Sequence, residues 1–172
     1  LTASLVCGAG FLAVFATGLH FIMLDIARQA GAVNVVQRAV MLNFLTLAGL
    51  YAVNFLTVMS AVLLPVDTLA GEIGSGVVQT VASKPVRRST IVLGKWLAYA
   101  IVVLGYLVFL AGGVLAIVKL RADFMVPNPL QGLPLMGLEA LVLLSVSIAG
   151  GTRLSTVTTG IVSFGLFGLA FI

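Results

Sequence analysis

Few residues in this 172-residue chain could do chemistry. It carries one histidine, five acids and one cysteine. An acid–base site would have to be built from His20, Asp67 and Glu139. No Gly-x-x-x-x-Gly-Lys-Ser/Thr loop is present to cradle phosphates. The Gly94-Lys95 pair follows Ile91-Val92-Leu93 at the mouth of an apolar run, not a glycine-rich turn, so it is not a nucleotide site. His-Glu-x-x-His and Gly-x-Ser-x-Gly are absent as well. Cys7 is alone in an apolar run, which rules out an intrachain disulfide and points to packing before reactivity. Catalysis is possible but nothing in the residues supports it.

The elements that would position these residues are membrane helices. The chain is 61% hydrophobic and 8% charged, against about 25% charged in soluble domains. Lipid must be its solvent. Apolar runs recur along the whole length, so a signal peptide does not account for them. The fold class expected is all-α, a polytopic transmembrane bundle with five segments here and a sixth in a full chain. The chain opens without methionine and closes on Phe171-Ile172, which reads as a single domain over 1–172 cut at both ends. The net charge of +4 is spread over several loops, which argues against a nucleic-acid partner.

The first apolar run covers 1–24, and His20 lies near its end as an interfacial or bundle-facing group, or as a proton or substrate site. Residues 25–38 form a polar connector. The second run, 39–64, contains Asn43 and Asn54 and is closed by Pro65. Amides in lipid either hydrogen-bond across helices or line a pathway. The third run spans 90–118, with Lys95, Trp96 and Tyr99 placed to anchor it at the headgroups. Gly105, Gly112 and Gly113 permit close helix approach there, and Gly160, Gly165 and Gly168 do so in the fifth run. The fourth run, 133–149, carries Glu139 about 9 Å from its start at about 1.5 Å per residue. A carboxyl at that depth must be paired, neutral or wetted, or lie at an interface. Residues 156–172 make the fifth run.

Alternating spans put 67–96 and the Gly150–Ser155 turn on one membrane face, and 25–38 with 119–132 on the other. Asp67 is then across the membrane from His20 and Glu139. Lys and Arg count five on the first face (Lys84, Arg87, Arg88, Lys95, Arg153) and four on the second (Arg28, Arg38, Lys119, Arg121). That is too even for the positive-inside rule to assign the cytoplasmic side.

The longest polar interruption is 67–96. Wound as a helix, 69–83 places Leu69, Ala70, Ile73, Val77, Val78 and Val81 on one half and Glu72, Ser75, Gln79 and Ser83 on the other. Pro85 stops that helix, and Ser89 can cap the next one. Gly71 and Gly74 cost this helix about 1 kcal/mol each relative to alanine. Its apolar half suits either lipid or a groove on a soluble partner.

Glu72, Ser75-Gly76, Ser83-Lys84-Pro85, Arg88, Ile91 and Gly94-Lys95 together resemble the hallmark between the second and third membrane helices of ABC type-2 exporter permeases. The resemblance implies that 67–90 is a cytoplasmic coupling helix and loop. It implies that Glu72, Ile73, Val77, Val78, Val81, Pro85, Arg88, Gly94 and Lys95 couple to a separate ABC ATPase subunit. ATP and Mg would be used by that subunit, with no cofactor and no metal held by this chain. A second permease chain and a lipid bilayer complete the implied partners, in a prokaryotic cytoplasmic membrane. Asn43, Asn54 and Glu139 are the candidate pathway residues. A membrane enzyme and a non-transporting anchor or assembly protein are the alternatives. The first would show clustered ionisable groups at one cavity. The second would lay its amphipathic helix on lipid.

Overall fold

The computed structural model describes residues 2–28, 34–74, 88–124, 129–151 and 156–169. All of these are helical except Asn34, Asp123 and Phe124. The helices are α1 (Thr2–Arg28), α2 (Val35–Gly74), α3 (Arg88–Ala122), α4 (Pro129–Gly151) and α5 (Thr156–Leu169). Four of them are long and apolar enough to cross a membrane, over Thr2–Arg28, Val35–Pro65, Val92–Ala122 and Gln131–Gly151. A bilayer leaves no water to satisfy exposed backbone, so an apolar chain of this kind closes its hydrogen bonds within helices. The all-α membrane bundle is therefore what the structure shows.

Two compact units divide the chain. Leu1–Leu56 and Tyr106–Met136 make the first, and Thr57–Gly105 and Gly137–Ile172 the second. In the first unit, Val53 of α2 is buried with Tyr106, Leu107, Leu110, Ala111 and Val114 of α3. Phe11, Leu12 and Phe15 of α1 pack onto this layer. A further layer joins Leu19 of α1, Leu42 of α2, and Val118 and Ala122 of α3. Residue numbers rise together along α1 and α3 and fall along α2, so α2 runs antiparallel to both. The ends of α1 and α3 thus come together, and Arg121 Nη1 donates to His20 Nδ1 at 3.0 Å.

In the second unit, Ala61 of α2, Ala100 and Val103 of α3, and Ala140, Leu144 and Ile148 of α4 form one buried cluster. Each of the three helices contributes an alanine, which lets their backbones approach closely. Val58, Val62 and Leu143 make a second cluster, with Phe164 and Phe167 of α5 against it. Gly150 admits the Thr159 side chain, whose Cγ2 would lie 2.8 Å from any Cβ placed there.

Three boundaries differ from the sequence expectation. Pro65 closes the apolar span but not the helix, because α2 continues to Gly74. A single proline removes one backbone bond, and helices in lipid tolerate the loss when neighbours satisfy the freed groups. Next, α4 begins at Pro129, four residues before 133. Proline suits a first helical turn because its missing N–H would be unsatisfied there anyway. Last, α3 runs four residues past 118 to Ala122; Asp123 after it takes a left-handed φ of 47° and donates its N–H to the Lys119 carbonyl at 3.1 Å. The glycines divide too: Gly113 is closely met by Leu12, whereas Gly105, Gly112, Gly160, Gly165 and Gly168 have no such neighbour among the described residues.

Candidate functional site

The coupling residues named from sequence fall around a gap in the described residues. Val77, Val78, Val81 and Pro85 lie outside them. Glu72 and Ile73 lie on the last turns of α2, and Arg88 opens α3. The 40 residues of α2 have a helical path length of about 60 Å at about 1.5 Å per residue. The hydrocarbon core takes only about 30 Å. About 13 Å of helix follows Pro65 on the way to Gly74, and α3 starts four residues before its apolar span at Val92. Both helices flanking the segment therefore extend past their apolar spans. Gly94 is exposed, and a Cβ added there would meet nothing within 4 Å. Lys95 beside it is half-buried.

Trp96 follows directly. Its half-buried ring packs against the alanine-rich cluster of the second unit. Its indole Nε1 donates to Ser145 Oγ on α4 at 2.9 Å. Ser145 Oγ in turn donates to the Leu141 carbonyl at 2.8 Å, one turn back along α4. Two residues on, the fully buried Ser147 donates to the Val62 carbonyl of α2 at 2.8 Å. Pro65 offers no N–H to the carbonyl of Ala61, next to Val62. Sequence reading placed Trp96 at the headgroups and missed Ser145 entirely. A contact across 49 residues leaves no periodic trace in a sequence.

The three pathway candidates are not brought into one cluster. Asn43 is exposed and Asn54 is 8% exposed, both on α2 in the first unit. Glu139 is half-buried on α4 in the second. With α4 starting at Pro129, Glu139 is about 15 Å along the helix, deeper than the start at 133 implied. A cavity of about 570 Å³ in the first unit is lined by Asp25, Arg28, Gln37, Phe21 and Met41 among others. None of the sequence-predicted site residues lines it. Among the described residues, no group of three or more His, Cys, Asp or Glu is placed to hold a metal.

The family model described as ABC-2 family transporter protein matches residues 4–172. The chain belongs to the ABC-2 transporter family. It is an integral membrane protein and a membrane permease component of an ABC transporter. No curated protein and no solved structure matches it.

Proposed function

We propose that this chain is the permease subunit of an ATP-driven ABC-2 exporter, and that the segment centred on 69–83 docks a separate ATPase subunit. The observation that carries the reading is the family match over residues 4–172. The extensions of α2 and α3 beyond their apolar spans support it. ATP and Mg act on the partner. Closure of two ATPase subunits would tilt two permease chains and open a path between them, in a prokaryotic cytoplasmic membrane.

The residues have distinct parts. Ile73, Val77, Val78 and Val81 offer the apolar stripe, at about 25 cal/mol per Å² buried. Glu72 meets a polar or basic group on the ATPase or on the permease's own cytoplasmic surface. Pro85 ends the docking helix, Arg88 starts α3, and Gly94 and Lys95 begin its passage into the membrane. Asn43, Asn54 and Glu139 face the pathway.

The test is co-purification. The full chain should bring down an ATP-binding subunit, and Val77→Asp with Val78→Asp should abolish that while membrane insertion persists. Undiminished ATPase binding and undiminished coupling in the double variant would place the stripe on lipid and remove the docking role.

A further inference from the structure

We infer that Ser145 and Ser147 make α4 the output rod of the coupling segment, clasped at once to the two helices that bracket it. The inference rests on the transporter reading given above. It concerns positioning residues that the coupling motif does not contain.

Two directional bonds carry it. Trp96 Nε1 donates to Ser145 Oγ at 2.9 Å, tying α4 to the first turns of α3. Ser147 Oγ donates to the Val62 carbonyl at 2.8 Å, tying α4 to the last apolar turn of α2. Ser145 and Ser147 are two positions apart, about 200° around the helix, so α4 is gripped on two sides. Between the grips, Ala61, Ala100 and Ala140 bring the three helices together in one buried cluster. Close-packed interiors of this kind pass a displacement on and do not absorb it. Burial also strengthens the Ser147 bond relative to the same bond in water.

The geometry gives the clasp a direction. Trp96 is the residue after Lys95, and Val62 lies three residues before Pro65. A shift of the 66–90 segment enters α2 and α3 at these points and reaches α4 through both bonds. Six residues back along α4, about 9 Å, sits Glu139. The stretch of α4 that bears the half-buried Glu139 is thus the stretch the clasp would move. A headgroup anchor at Trp96 would need its indole N–H directed to the interface, but Ser145 takes that N–H.

The experiment uses the full chain, assembled with its ATPase subunit in nanodiscs. In a Cys7→Ser background, spin labels go on Leu138→Cys of α4 and Val14→Cys of α1, which are 62% and 73% exposed. The distance distribution is compared without nucleotide and with ATP plus vanadate. Ser145→Thr keeps the acceptor and should keep the nucleotide-driven shift. Ser145→Val has the same shape without the hydroxyl and should at least halve the shift, as should Trp96→Phe and Ser147→Ala. ATPase co-purification should be retained in all four, which a loss of folding would not allow. Equal shifts in Ser145→Val and Ser145→Thr, with an unchanged shift in Trp96→Phe, would overturn the clasp. A chain without substitutions that recruits no ATPase would instead overturn the transporter reading, and the clasp would fall with it.

Discussion

Gly8 and Gly10 are two residues apart on α1 and face different surroundings. A Cβ on Gly8 would come within 2.9 Å of Tyr106 Cε2 and Oη, whereas nothing lies within 4 Å of one on Gly10. Tyr106 is only 6% exposed and sits in the main cluster of the first unit, so its ring has little room to retreat. Gly8→Val should therefore destabilise by about 1–3 kcal/mol, the usual range for overpacking a filled core. Gly10→Ala should be neutral or gain up to about 1 kcal/mol from helix propensity. Reversible unfolding in mixed micelles measures both. A Gly8→Val chain as stable as the parent would mean that α1 does not pack on α3 in this register. His20 belongs to the same scale. Arg121 Nη1 donates to its Nδ1 at 3.0 Å at an exposed position. The bond needs that nitrogen unprotonated, and solvent screens it. Replacing His20 by Ala should cost less than about 1 kcal/mol, and nucleotide-driven motion should be unchanged. A large loss of coupling would make His20 a working group instead of an interfacial one.

Helices rather than single residues explain what was legible beforehand. The apolar runs marked the four helices long and apolar enough to cross among the described residues, because about 20 apolar residues in a row suit lipid as solvent. Their ends were less legible. Proline speaks only for its own N–H and its neighbours' sterics, so Pro65 ended the apolar run without ending α2, and Pro129 started α4 earlier than the hydropathy did. Of the candidate site, the resemblance over Glu72 to Lys95 pointed to the family that the match over residues 4–172 bears out, while Val77, Val78, Val81 and Pro85 lie outside the described residues. The connection to α4 through Trp96, Ser145 and Ser147 was not legible, since tertiary hydrogen bonds to a hydroxyl and a carbonyl have no spacing rule. The stop of α3 has a simple local cause. Asp123 accepts φ of 47° and returns its N–H to Lys119, the single-bond left-handed cap. Aspartate visits this region more readily than branched residues do. Asp123→Gly should hold or raise the unfolding midpoint, and Asp123→Val should lower stability by about 1–2 kcal/mol. Equal midpoints for the two variants would show that the left-handed turn is not kept.

The whole molecule raises the question of sides, which charge counts alone leave tied. Four helices are long and apolar enough to cross, and within the first unit the end of α1 meets the end of α3 through His20 and Arg121. Asp25, Arg28, Lys119 and Arg121 therefore belong to one membrane face. If α2 and α3 each cross once, the sequence after Pro65 and before Val92 falls to the other face. If 67–90 meets an ATPase, that second face is cytoplasmic and the first is external. Single cysteines in a Cys7→Ser background test this in intact cells. Arg28→Cys and Lys119→Cys, both exposed, should react with a charged, membrane-impermeant maleimide added outside. Gln79→Cys and Arg153→Cys should react only once the membrane is opened. Native Cys7 is exposed on α1 among apolar residues, where acyl chains keep a charged reagent away. It should resist the charged reagent in both cases and label after denaturation in detergent. Outside labelling at position 79 with protection at 119 would invert the topology. An ATPase could not then reach the coupling segment, because the segment would lie on the side of the membrane that has no ATP.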